Sequence, residues 1–262
     1  MASTNPSLPQ LPEEIPPPPS HSDHHPEHLP NESEPLLGRP GDAIQRSNAP
    51  MYRNLYLGTG ILTQAGLLLL LLSIYIPTLA HQPLLPLLTP HPILQSLGLF
   101  ILIQATLILQ PTTKQYPDAK TRAAKYHGSL QLFSFLLFLS GTAIIETNKH
   151  VNGLPHFHSV HAYLGVTTVS LLLVQYIFGF TIYITPQVWG GEEKAKKLWK
   201  WHRYIGYGVL VLLLITTGSA AWTDYVVSQL GVSKLGVVLG LVLIASGVYP
   251  RVQLGKLGLR EY

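Results

Sequence analysis

Cysteine is absent from the 262 residues. That excludes disulfides, thiolate metal sites, iron–sulfur clusters and c-type haem attachment, and it leaves the compartment unreadable from thiol usage. Charge is scarce as well: Asp, Glu, Lys and Arg supply 11% of the chain, against about 25% in soluble domains. No apolar leader opens the sequence. The first apolar run begins only after some fifty polar residues, so no cleavable signal peptide is expected.

What is present is apolar. A bilayer core of about 30 Å needs roughly 20 apolar helical residues, and six stretches qualify: about 55–80, 92–110, 124–145, 160–185, 201–222 and 232–249. The last is the shortest, with Lys234 at its start. The expected fold class is an all-α integral membrane protein of six transmembrane helices, with a four-helix core carrying the site. Residues 1–50 form a tail, 51–250 the membrane domain and 251–262 a short second tail.

The first tail has four consecutive prolines from Pro16 to Pro19, and His21, His24, His25 and His28 among polar residues. Such a segment buries too little apolar surface to offset its ordering entropy and should be disordered. Its histidines could bind metal, but nothing fixes a geometry. Glu32-Ser33-Glu34-Pro35-Leu36-Leu37 resembles an acidic dileucine sorting signal. Signals of that type, marked here by Glu32, Leu36 and Leu37, route membrane proteins to vacuolar, lysosomal or late endosomal membranes.

Loop charge orients the chain. Lys114, Lys120, Arg122 and Lys125 lie between spans two and three, Lys194, Lys196, Lys197 and Lys200 between spans four and five, and Arg251, Lys256 and Arg260 at the end. The opposite loops are nearly bare, so both termini and the two basic loops are expected in the cytosol. Trp199, Trp201 and Trp222 fall at the ends of the fifth span, as an aromatic belt would place them.

Four histidines carry the chemistry. His91, His127, His161 and His202 stand near the starts of four consecutive spans, at intervals of 36, 34 and 41 residues. Ionisable groups inside spans are expensive and mark function by default. A lone histidine in a bundle is more often a hydrogen-bonded structural residue; four at matched depth argue otherwise. Successive helices alternate in direction, so His91 and His161 lie near the lumenal or external face and His127 and His202 near the cytosolic one. Each level offers two imidazoles and no Cys, Asp or Glu. Structural zinc wants four ligands, whereas haem iron needs only its axial ligands from the protein, and a bis-histidine site with no open position suits electron transfer. The expected cofactors are therefore two haems, with irons on the order of 20 Å apart.

Porphyrin needs small residues around it. Gly128, Gly165 and Gly206 lie within a turn of His127, His161 and His202, and Gly98 two turns beyond His91. Close helix packing is an equal reading of these glycines. Phe133, Phe135, Phe138, Tyr176 and Phe178 could fill the gap between the two levels, with ordinary core packing as their default role.

Taken together, His91-Pro92, Lys125-Tyr126-His127-Gly128, Ser159-Val160-His161-Ala162-Tyr163-Leu164-Gly165 and His202-Arg203-Tyr204-Ile205-Gly206 resemble the cytochrome b561 family in order, spacing and alternation of sides, over about residues 50–250. The resemblance is to its short, domain-only reductases. It implies that the two haems are haem b, with axial pairs His91 with His161 and His127 with His202, an ascorbate-like cytosolic donor, and a ferric chelate or monodehydroascorbate as acceptor. Many ascorbate-type members end span two with a Tyr-Arg pair that helps hold the donor; this chain has Leu109-Gln110-Pro111, which leaves the donor open.

Lys120, Lys125, Lys200 and Arg203, with Lys196 and Lys197, lie on the face where an anionic donor would arrive, although topology alone puts cations there. Lys125 and Arg203 adjoin the histidines. On the other face His156 and His158, with His150, could orient a ferric chelate or pass protons. Whether the chain forms a homodimer is left open, and nothing points to nucleic acid. The competing function is a transporter or proton channel using the histidines as a haem-free relay; mid-membrane Gly/Pro breaks would mark one, and none stands out.

Overall fold

The structure is a computed structural model that describes residues 43–45 and 49–259. Glu32, Leu36, Leu37 and the tail histidines lie outside the described residues. Six helices follow in order: α1 Gly60–Ala80, α2 Pro90–Leu109, α3 Pro117–Val151, α4 Val160–Ile184, α5 Glu192–Ala220 and α6 Lys234–Val248. All six are long and apolar enough to cross a membrane, the last counted together with the turn that carries it to Arg251. No strand occurs among the described residues.

Local signals set the helix ends. Pro90 and Pro92 occupy the first turn of α2, where a missing N–H costs nothing. Ser159 and Ser233 cap α4 and α6, their hydroxyls accepting from the N–H groups of Ala162 at 3.2 Å and Gly236 at 3.1 Å. Two helices start earlier than hydropathy predicts: α3 at Pro117 rather than 124, and α5 at Glu192 rather than 201. Both extensions are polar, so a hydropathy window misses them. Asp118, Glu192 and Glu193 in the first turns suit the positive end of the helix dipole. Trp199 and Trp201 consequently sit two turns inside α5, between its polar first turns and its apolar stretch.

The helices pack as antiparallel neighbours. α2 lies along α3, α4 along α5 and α1 along α6, with α1 also against α2 and α3 against α4. The start of α1 meets the end of α6 through Thr59 Oγ1, which donates to Gly247 O at 2.8 Å. One end of the bundle gathers the loops after α2 and α4 with both ends of the described chain, and is called here the basic face. Its parts are stitched together: Gln45 N–H donates to Pro111 O at 2.9 Å, Asn54 to Ile108 O at 2.9 Å, and Arg251 to Asn54 O at 2.6 Å. Gln45, Asn54 and Arg251 are buried, so the residues flanking the spans are docked on the bundle. The three loops after α1, α3 and α5 form the opposite face.

Glycines bring α1 and α6 together. A Cβ at Gly66 would stand 2.6 Å from Gly240 O and 2.8 Å from the Ile244 nitrogen. These contacts are main chain and cannot turn aside as a side chain would. Substituting Gly66→Val should push the helices apart and destabilise the protein by about 1–3 kcal/mol, seen as a lowered thermal midpoint in detergent; an unchanged midpoint would contradict this packing.

Candidate functional site

The bundle brings the four sequence-singled histidines together as two pairs. His91 on α2 faces His161 on α4, with ring centroids 6.3 Å apart and planes at 81°. His127 on α3 faces His202 on α5 at 6.5 Å and 87°. Two metal–nitrogen bonds of about 2 Å, plus about 1 Å from each nitrogen to its ring centre, give roughly 6 Å across a shared metal. The spacing therefore fits one iron between each pair. Among the described residues no cluster of three or more His, Cys, Asp or Glu side chains could hold a metal ion. A ligand set of two imidazoles alone matches what haem iron asks of a protein.

Hydrogen bonds at the other ring nitrogen orient each imidazole, and they follow one rule. Nδ1 of His91 lies 2.9 Å from Gly141 O and Nδ1 of His127 lies 2.9 Å from Ala105 O. Nδ1 of His161 lies 3.0 Å from Thr216 O, with Ser219 Oγ at 3.3 Å. Nδ1 of His202 meets the Gln175 side chain, Nε2 at 3.1 Å. In every helix the group that holds a neighbour's histidine stands fourteen residues after the helix's own: His91 and Ala105, His127 and Gly141, His161 and Gln175, His202 and Thr216. Fourteen residues are nearly four turns and return to about the same face. Helices α2 and α3 thus hold each other's histidines, as do α4 and α5. The same offset separates the two levels by about 21 Å along the helices.

The neighbouring glycines divide in two. A Cβ at Gly128 or Gly165 would meet nothing within 4 Å, so these positions leave open space beside His127 and His161. At Gly98 it would press on Phe138 at 3.2 Å, and at Gly206 on Gln175 Nε2 at 2.8 Å, so these two serve protein packing. A cavity of about 470 Å³ reaches His91 and His161, with Gly165, Glu146, His158 and Trp222 also on its wall.

The aromatic residues are dispersed. Phe135 stacks on Tyr176 with centroids 6.3 Å apart, between α3 and α4. Phe138 is buried in the packed core. Phe133 is 50% exposed and turned away from the gap. Phe178 does not bridge the levels either, since it lies against His202 at 6.0 Å and Trp189 at 5.6 Å.

On the basic face the structure regroups the candidate cations. Lys120 precedes His127 by seven residues, two turns lower on the same side of α3. Arg203 donates to Lys256 O at 2.8 Å, and Lys256 Nζ donates to Gln110 O at 2.7 Å. Burial first, then the nearby charges of Arg203 and Lys120, pushes the Lys256 ammonium down to about 7. No carboxylate hydrogen-bonds or ion-pairs with these three among the described residues. Lys125 is exposed, Lys200 lies over the Trp201 ring at 5.5 Å, and Lys196 pairs with Glu193 at 3.1 Å. Sequence reasoning missed Lys256, which reads there only as one more cation of a basic tail. It also missed Gln175, although an amide in the middle of an apolar span is itself a signal.

On the opposite face His156 bonds Glu146 at 2.6 Å, and Glu146 also pairs with Lys149 at 3.3 Å. His158 reaches the cavity wall, with Nδ1 3.2 Å from Pro155 O, while His150 is exposed.

A model of the eukaryotic cytochrome b561 family matches residues 90–223, the stretch that contains all four paired histidines. The chain is similar to a lysosomal membrane ascorbate-dependent ferrireductase of Bos taurus, 28% identical over 130 residues, 49% of this chain and 48% of that protein. It is similar to transmembrane ascorbate ferrireductase 2 of Arabidopsis thaliana, 28% identical over 127 residues, 48% and 53% of the two chains. A transmembrane ascorbate-dependent reductase of Mus musculus is 24% identical over 168 residues, 60% of this chain and 64% of its own. The chain spans about half the length of the two ferrireductases it matches.

Glycine is also required where His202 meets α4: a Cβ at Gly179 would stand 2.6 Å from His202 Cε1. Gly179→Ala should displace that ring and destabilise the fold by about 1–3 kcal/mol, with less effect at the other pair. Thermal unfolding of the purified variant measures it; a wild-type midpoint would show that the ring has room to move.

Proposed function

The chain belongs to the eukaryotic cytochrome b561 family, and on that premise we propose that it is a transmembrane oxidoreductase, carrying electrons from an ascorbate-like cytosolic donor to a lumenal or external acceptor. Haem b is the cofactor of this family, and the proposed number is two. His91 with His161 and His127 with His202 hold them, within a core made of α2 to α5. The observation that carries the reading is the pair of imidazole couples at about iron-spanning distance, stacked at two levels of one bundle. Bound haem supplies a one-electron ferric/ferrous couple at each level.

What the chain's own residues do follows from their placement. The carbonyls of Gly141, Ala105 and Thr216 accept from Nδ1–H, which leaves Nε2 free to face the partner imidazole and raises the basicity of the ligand. Two imidazoles at each level would hold the bound group and would leave it no open position for oxygen. The apolar spans keep water and counter-ions from the path between levels. By the positive-inside bias the basic face is cytosolic, and there Lys120, Arg203 and Lys256 form the entry point for an anionic donor. Lys256, resting on Gln110 O, brings a cation to the end of α2. On the far face His156, His158 and Glu146 stand beside the cavity at His91 and His161, where a ferric chelate would approach. The lysosomal relative and the dileucine motif together favour a lysosomal or vacuolar membrane.

A reduced-minus-oxidised absorption spectrum with quantified haem tests this. Two b haems per chain, reducible by ascorbate, are expected, and His127→Ala or His161→Ala should each lose one. A folded, haem-supplied preparation without haem would overturn the proposal and bring forward the histidine-relay transporter. The donor site makes a second prediction. Lys256 is charged below about 7 and loses its charge as pH rises through that value. The apparent affinity for ascorbate should therefore weaken from pH 6 to 8, and Lys256→Gln should lower it at pH 6 several-fold and flatten the profile. An unchanged profile in that variant would remove Lys256 from the site.

A further inference from the structure

The offset of fourteen holds at all four histidines, but the kind of group it supplies changes at one. Three histidines give Nδ1 to a main-chain carbonyl, an acceptor fixed by its helix; the fourth, His202, meets a side-chain amide. A metal on Nε2 requires the proton on Nδ1, so Nδ1 must donate. Gln175 presents its NH2 group there, 3.1 Å from Nδ1, and spends a hydrogen on the His202 carbonyl at 2.7 Å. Its Oε1 is buried with no partner. The oxygen reaches Nδ1–H only if the amide exchanges ends, which removes the donor from the His202 carbonyl. Ring and main chain therefore compete for one amide, and His202 has the weakest acceptor of the four.

The surroundings are shaped to keep the amide there. Gly206 admits it, since a Cβ would stand 2.8 Å from Gln175 Nε2, and Gly179 admits the ring on the other side. A weaker Nδ1 acceptor leaves the imidazole less electron-rich, and a less electron-rich axial ligand favours ferrous over ferric iron. The His91–His161 level has the opposite character, with carbonyls on both rings and Ser219 Oγ added at His161.

We propose that Gln175 is a positioning residue whose weak acceptor leaves the haem held by His127 and His202 at a higher reduction potential than a main-chain carbonyl there would, setting the two levels of the relay apart. This rests on the reading that the two histidine pairs hold haem.

The test is a spectroelectrochemical titration of the purified, haem-loaded protein and two variants. Gln175→Glu gives Nδ1–H a carboxylate acceptor and should lower the potential of that one haem. Gln175→Leu keeps the volume, removes the acceptor and should raise it. A shift of about 59 mV, tenfold in the electron's distribution between the two haems, is the expected scale. The His127–His202 haem is identified by its loss in His127→Ala. Potentials unmoved in both variants, shifts of the same sign in both, or equal shifts of the two haems would overturn the proposal. Should the buried carboxylate prevent assembly, Gln175→Leu decides alone: a rise confined to the one haem sustains the role, and any other result removes it. Haem content is measured first, so wild-type protein without two haems would count against the proposed function and not against Gln175.

Discussion

An imidazole carried into hydrocarbon brings two nitrogens that water no longer serves. Left unpartnered, a polar group in such surroundings costs about 2–7 kcal/mol, and this bundle contains four of them. Each antiparallel pair of helices answers by exchange. α2 supplies the Ala105 carbonyl to His127 and receives Gly141 for His91, while α4 and α5 trade Gln175 and Thr216 for His202 and His161. A one-residue slip of either pair would rotate the carbonyl away and unsatisfy two rings at once. Register, ring orientation and the facing of Nε2 toward its partner all follow from this constraint.

The remaining two helices contribute no ligand. α1 and α6 pack on each other through glycines and brace α2, with the Gln64 and Gln104 amides joined reciprocally at 2.9 and 2.8 Å. Their second role lies at the basic face. The segment after α6 returns over the ends of α2 and α5, burying the Arg251 guanidinium against main-chain oxygens and setting Lys256 on Gln110. A site that lies at the end of the bundle is thereby closed by residues far along the chain from the histidines.

Chemistry and architecture also divide by depth. Near the basic face the groups beside the histidine level are cations that pair with no carboxylate among the described residues. Near the opposite face His156, Glu146 and Lys149 form a mixed-charge cluster beside an open cavity. Between them lie packed apolar side chains and the stacked Phe135 and Tyr176. The two histidine levels thus stand beside differently charged surroundings, and the difference is electrostatic rather than a matter of fold.

Much of this was legible in one dimension, because a membrane span announces itself by composition and a histidine within it by its cost. Six spans, the alternation of faces and the four histidines are properties of residue order alone, whereas the caps at Ser159 and Ser233 came from the structure. The polar first turns of α3 and α5 escaped, since hydropathy reports partition into lipid and not helix propensity. The cations show the limit more sharply. Lys125 stands next to His127 in sequence yet points outward, whereas Lys256 reaches the site from 53 residues beyond Arg203. Adjacency along a helix turns a side chain by about 100° per residue, so neighbours in sequence are seldom neighbours in a site. Residue order alone settles which groups lie in the apolar spans and how far from the span ends they stand. Which of them touch was decided by helix packing: carbonyls carry no residue identity, and only the assembled bundle shows that three histidines rest on main chain and the fourth on Gln175.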